Sequence, residues 1–162
     1  MAKFIYRMQS ILDIKLKLET QARMQFAAAK RIQNEEEEKL EQLYNRKEDY
    51  IEKARKSRSD VLSVRELRES KVAIQTMDDF IAEQKIRVAE ATEKAEEARE
   101  QLEEVMKERK THEKLREKSF EEFKMELNHE ESKEIDELTS YTYGQKQIKE
   151  AVMQKKSPTT EA

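Results

Sequence analysis

Two histidines, runs of glutamate and one basic cluster are the residues in this chain that could do chemistry. His112 and His129 could bind zinc if a second ligand lay one helical turn away, but neither sits in an HExxH pattern. His112 is expected as a polar interruption of a helix seam. Glu35 to Glu38 could offer an acid/base pair, yet four consecutive carboxylates read as a solvated helix face. Cysteine is absent, which removes thiolate nucleophiles, disulfides and Cys zinc sites. A single glycine excludes the Gly-rich loops that cradle phosphates. No metal and no cofactor is expected. Lys107, Arg109, Lys110, Lys114, Arg116 and Lys118 could suggest nucleic acid. They alternate with Glu108, Glu113 and Glu117 in a chain of net charge −3, so a zwitterionic solvated helix is the better reading. A functional variant of that cluster is contact with an acidic protein surface.

Elements able to position a catalytic group are also missing. Gly144 and Pro158 are the only glycine and proline in 162 residues. A chain so poor in turn formers cannot fold back often, which excludes sandwiches, barrels and α/β enzymes. Charged residues make up 43% and hydrophobic residues 36%, so the choice lies between disorder and long helix. Acidic and basic groups nearly cancel, and the apolar residues are periodic. Catalysis needs a dry concave pocket, which a pair of helices does not provide, so no enzyme is expected.

The periodicity is clearest in the second half. Steps of seven from Leu67 give Ile74, Ile81, Val88, Ala95 and Leu102, with companions Ser70, Met77, Gln84, Ala91, Ala98 and Val105. The seam then meets Arg109, His112 and Arg116, where a break in register is expected, with a new stripe at Leu115, Phe120, Phe123 and Leu127, then Ile135, Leu138 and Tyr141. In the first half Phe4, Met8, Ile11, Leu18 and Ala22 start a face. Phe26, Ala29, Leu40, Leu43, Tyr50 and Ala54 continue it, with Gln33, Glu36 and Lys47 as polar interruptions.

Residues 57–63, rich in Ser and Asp, are the best place for a turn, and Ser63-Val64-Arg65-Glu66 has the form of a capping box. A short connection makes the helices antiparallel, with partners summing to about 120 in residue number. Glu36 then meets Gln84, Leu43 meets Met77 and Phe26 meets Ala95. The fold class is therefore all-α: an elongated antiparallel two-helix coiled-coil hairpin with a C-terminal helical overhang. Arm one covers about residues 4–56 and arm two about 64–143, making one hairpin of residues 1–143. Phe4 is expected opposite residue 116, leaving Glu117 to Tyr143 as a lone helix. Gly144 is expected to stop that helix. Gln145 to Gln154 would add a weak turn or two, and residues 144–162 form a flexible tail, disordered from Lys155 on. No apolar stretch is long enough for a membrane span, and no signal peptide is expected.

Apolar residues outside the seam point to partners. Phe80 near the hairpin tip, and Phe120, Phe123 and Leu127 on the overhang, are expected to lie uncovered. Three occupants stay open: a partner protein, a second copy, or the segment Phe4-Ile5-Tyr6 folded alongside.

The chain resembles the FliJ family, the small coiled-coil component of the bacterial flagellar type III export apparatus. Phe4-Ile5-Tyr6-Arg7-Met8-Gln9-Ser10-Ile11-Leu12 is similar to the family's opening pattern. Ser63-Val64-Arg65-Glu66-Leu67-Arg68 and Ile74-Gln75-Thr76-Met77 with Phe80-Ile81 resemble the start of its second helix. Lys114-Leu115-Arg116-Glu117-Lys118 and Lys133-Glu134-Ile135-Asp136-Glu137 resemble signatures near its end. The resemblance covers about residues 1–140. It implies an antiparallel coiled coil similar to the central stalk of rotary ATPases. It further implies a non-enzymatic adaptor in flagellum biogenesis and motility, which binds and regulates the export ATPase, the cytoplasmic domain of the export gate protein, and export chaperones. By that resemblance Ala73, Met77, Phe80 and Gln84 form the export-gate contact, Ala73 standing where some relatives carry a larger side chain. Phe4, Tyr6, Arg7, Leu115, Arg116, Phe120 and Phe123 form the export-ATPase contact. The location implied is cytoplasmic, at the inner face of the cell membrane through partners, with no membrane insertion and no nucleic acid. Two other readings stand beside it: a structural coiled coil forming dimers or filaments, and the injectisome relative of the same family.

Overall fold

The computed structural model describes residues 2–59, 61 and 63–155. Two helices account for nearly all of them: α1 (Gln9–Ser59) and α2 (Val64–Gln154). Among the described residues there is no strand. The fold is the all-α antiparallel hairpin that periodicity and turn poverty predict.

The helix ends follow from local chemistry. Ser63 occupies the position before α2, and its carbonyl accepts the Leu67 N–H at 3.1 Å, the first bond of the helix. Glu66 lies in the first turn, where a negative charge meets the positive end of the helix dipole. At the other side of the connection α1 carries Lys56 and Arg58 in its last turn, and Ser59 Oγ donates to the Lys56 carbonyl at 2.7 Å. These interactions hold residues 57–59 in the helix, although the serine cluster suggested a turn from residue 57. The connection is correspondingly shorter; Asp60 and Leu62 lie outside the described residues.

Gly144 does not end α2. It has no positive φ, and the helix continues through it to Gln154. One glycine costs a helix only about 1 kcal/mol relative to alanine, too little to stop it where no proline follows at once. Residues 145–154, expected to add a turn or two within a tail, continue the same helix. The expected disorder from Lys155 on falls, apart from Lys155 itself, on residues 156–162, outside the described residues.

The chain forms two compact units, one of Ile11–Thr111 and one of Met1–Ser10 with His112–Ala162, taken over their described residues. The first unit holds the antiparallel pair. All twelve seam positions read from Leu67 to Val105 are buried or half-buried, and from residue 64 to 105 only Ala73 joins them. On α1 from Ile11 onward the covered positions are Leu12, Lys15, Glu19, Ala22, Phe26, Ala29, Gln33, Glu36, Leu40, Leu43, Lys47, Ile51 and Ala54. From Leu12 to Lys47 this is an unbroken heptad pattern. The sequence reading placed Ile11, Leu18 and Tyr50 on this face, but they lie 37–40% exposed. The seam runs instead through Leu12, Glu19 and Ile51.

The deep core is small: Leu12, Ala22, Ala54, Ile81, Ala91 and Ala95. Four of these six are alanines, so the helices meet mostly through small side chains. Polar groups fix the register. Gln84 Nε2 donates to the Glu36 carbonyl oxygen at 3.0 Å and to its carboxylate at 2.5 Å. This is the pairing expected from a residue sum of 120. Gln33 Nε2 donates to Thr92 Oγ1 at 3.3 Å, and Lys47 pairs with Asp78 at 2.6 Å.

Candidate functional site

The second unit carries an aromatic cluster. Residues 2–8 precede α1 without helical structure, closed by a turn in which Gln9 N–H donates to the Tyr6 carbonyl at 3.2 Å. This segment places the Phe4 ring edge-on to Phe120, 5.1 Å between centroids, and tilted against Phe123 at 5.5 Å. Such geometry sets the positive ring edge of one aromatic against the negative face of another. Phe4 therefore reaches further along α2 than residue 116. Non-helical chain advances up to ~3.3–3.6 Å per residue, against ~1.5 Å in a helix.

Phe120 and Phe123 are thus not left uncovered, as expected for a lone overhang. The opening segment folds alongside them, which was one of the three occupants left open. Phe123 and Leu127 are half-buried, whereas Phe120 remains 40% exposed with Lys124 Nζ 5.0 Å from its ring centroid. A cation so placed faces the ring quadrupole. The expected register break also softens. Ser119 and Phe123 both lie on steps of seven from the upstream seam and both are half-buried. Leu115, assigned to a new stripe, is 43% exposed.

A groove beside the cluster is lined by Phe4, Glu113, Arg116, Glu117 and Phe120. It presents two rings between one cation and two carboxylates. Arg7 and Arg116 are exposed and Tyr6 is half-buried. The unit thus gathers Phe4, Phe120 and Phe123 into one contact set, with Arg116 on the adjoining groove. Glu113, Glu117 and Lys124 join this surface; the sequence reading gives the two glutamates only as acidic neighbours of the basic cluster. Their signal is helical spacing from Phe120, which places residues three, four and seven positions away on one face.

The second set of residues lies in the unit Ile11–Thr111. Phe80 is 47% exposed, Ala73 and Met77 are half-buried, and Gln84 is buried at 5% exposure. These residues do not form one exposed stripe. Phe80 faces solvent, while Gln84 belongs to the seam through its bonds to Glu36.

This unit also holds a buried ion pair that the sequence reading did not anticipate. Glu19 is buried at 6% exposure and pairs with Arg109 across the helices and with Arg23 one turn on, the latter at 2.7 Å. Burial pushes the Glu19 carboxyl up, but hydrogen bonds and charge from Arg23 and Arg109 outweigh it. The result lies below the ordinary value of 4.5. Lys15 pairs with Glu108 at 2.5 Å nearby. Stepping back by sevens from Ala54 through Phe26 reaches Glu19, so the seam position was recoverable by arithmetic. Its charge hides it from a pattern of apolar residues.

Among the described residues no cluster of three or more His, Asp or Glu could hold a metal ion. Among the same residues no helix is long and apolar enough to cross a membrane.

Comparison with known proteins agrees with the resemblance in the motifs. Neither the curated proteins nor the solved structures give a match. A family model described as "Flagellar FliJ protein" matches residues 4–148, from the aromatic of the opening segment to a point beyond Gly144. The chain belongs to the FliJ family of flagellar proteins.

Proposed function

We propose that this chain is an adaptor that couples the flagellar export ATPase to the export gate. Family membership makes it a component of the flagellar export apparatus, and the family is non-enzymatic. The observation that carries the finer reading is the matched range. Residues 4–148 take in both the aromatic cluster of Phe4, Phe120 and Phe123 and the exposed Phe80.

In this reading the ATPase contact uses Phe4, Tyr6, Arg7, Leu115, Arg116, Phe120 and Phe123. Exposed aromatic area beside a guanidinium suits a protein interface, since aromatic residues and Arg dominate binding energy there. The gate contact uses Phe80 as its anchor, with Ala73 and Met77 flanking it. Gln84 supports the contact by holding α2 in register rather than by touching the partner. Export chaperones are further partners. The site of action is the cytoplasmic face of the membrane, reached through those partners.

The test uses purified proteins. The full chain should bind the cognate export ATPase and raise its turnover, and Phe120→Ala with Arg116→Ala should abolish both effects. Phe80→Ala should leave them intact and weaken binding to the gate protein's cytoplasmic domain. A chain that neither binds nor stimulates that ATPase would sink the reading.

A further inference from the structure

We propose that the opening segment, residues 2–8, is a displaceable strap that masks the aromatic contact set in the free chain and must lift before that set can meet the ATPase. The inference rests on the adaptor reading and adds a regulatory step to its ATPase contact.

The rings of the contact set face one another. Phe4 lies edge-on to Phe120 and tilted against Phe123. Phe4, Tyr6 and Phe123 are half-buried as a result of the fold of this unit alone. Aromatic anchors act by filling a partner's pocket, and ring surface already covered within the chain is not available for that. Lifting the segment frees Phe4 and Tyr6 and uncovers Phe120 and Phe123 in one movement.

Few interactions hold the segment down. Its side chains alternate: Phe4 and Tyr6 are half-buried, whereas Lys3, Ile5 and Arg7 are exposed. Among the described residues, the bond from the Gln9 N–H to the Tyr6 carbonyl is the only backbone hydrogen bond outside the helices that involves it. A segment with so few apolar contacts and backbone bonds opens at low free energy.

Closure also strands a polar group. Tyr6 Oη is buried and makes no hydrogen bond among the described residues; His112 Nδ1, on α2 in the same unit, is in the same condition. A hydroxyl taken from water without a partner opposes closure, and lifting the segment returns it to solvent. Ring contacts draw the strap down while the hydroxyl pushes it up. These opposed contributions are of similar size, so the closed and open states lie close in free energy. A partner that needs the open state then binds with an affinity reduced by the open fraction.

The test measures two quantities on the same full-length variants: tryptic cleavage after Lys3 in the free chain, and binding of the cognate export ATPase. Cleavage of a locally opened segment tracks its open population. Gln9→Pro removes the donor of the turn bond at the first position of α1, where proline is tolerated. It should speed cleavage and tighten ATPase binding, each by about three- to tenfold, as expected for the loss of one such hydrogen bond. Tyr6→Phe keeps the ring and removes the stranded hydroxyl. It should slow cleavage and weaken binding by a similar factor. Faster cleavage of Gln9→Pro with binding unchanged or weaker overturns the proposal. So does weaker binding of Tyr6→Phe with cleavage unchanged, because the hydroxyl then touches the ATPase directly. Unchanged cleavage in both variants overturns it as well. Failure of every variant to bind the ATPase, Gln9→Pro included, sinks the adaptor reading and the masked site with it.

Discussion

Gln84 on α2 donates its side-chain amide to the main-chain carbonyl of Glu36 on α1, 48 residues away in sequence, and to the Glu36 carboxylate as well. Two polar residues that interrupt two apolar seams meet at one layer and satisfy each other. Lys39 and Gln84 together hold the Glu36 carboxyl below its ordinary range. Gln84→Ala removes these bonds and leaves a small gap, so it should lower stability by about 1–2 kcal/mol. Urea denaturation followed by circular dichroism measures this.

The buried ion pair makes stability depend on pH. The folded pKa of Glu19 lies below its unfolded value. Its contribution is therefore fully present above the unfolded pKa and is lost as pH falls through the folded one. Stability should decline on acidification from about pH 5 downward. Glu19→Gln should flatten that slope and cost about 2–3 kcal/mol at neutral pH, where Arg109 loses a charged partner. Replacing both residues, Glu19→Leu with Arg109→Met, should recover most of the loss. Denaturant midpoints measured across pH separate these outcomes.

Neighbouring residues near the connection should behave oppositely. Ile81 is 5% exposed and Phe80 is 47% exposed. Ile81→Asp places an unpaired carboxylate in the seam and should unfold the antiparallel pair. Phe80→Ala should leave helicity and melting temperature within experimental error. Equal loss of helix in both variants would contradict the division.

Phe4 anchors the opening segment. Phe4→Ala removes two ring contacts, each contributing about 0.5–1.5 kcal/mol beyond its buried area. The segment before Gln9 should then exchange its amides faster and be cut sooner by protease. Amide protection within Ile11–Thr111 should not change.

Gly144 sits inside a helix with nothing within 4 Å of the position a Cβ would take. Gly144→Ala should raise helix content and local stability by about 0.5–1 kcal/mol. Circular dichroism together with amide exchange of residues 140–150 would detect it.

Much of this fold was legible because heptad spacing and burial obey the same geometry. The run from Leu67 to Val105 needed no structure to find. Its two polar members, Ser70 and Gln84, were kept because spacing rather than hydropathy assigned them. On α1 the opposite choice failed. Met8, Ile11 and Leu18 looked like a seam because they are apolar, yet the covered positions are Leu12, Lys15 and Glu19. The charges of Lys15 and Glu19 are neutralised across the interface by Glu108 and Arg109, a pairing that hydropathy along one helix does not reveal. The overhang was misjudged for another reason. Residues 4–8 are not helical, so counting them at helical rise places Phe4 short of Phe120. Gly144 was read as a stop although its cost is small on a helix otherwise rich in strong formers.

The repeat in the first unit has a mechanical consequence. A uniform heptad seam lined by alanines would let one helix slide along the other by seven residues and find an equivalent fit. The Glu19–Arg109 and Glu36–Gln84 pairs remove that equivalence. After such a slip, each would leave a charge or an amide facing an aliphatic layer. The pairs act as detents: sliding one helix along the other requires a buried charge to be stripped of its partner.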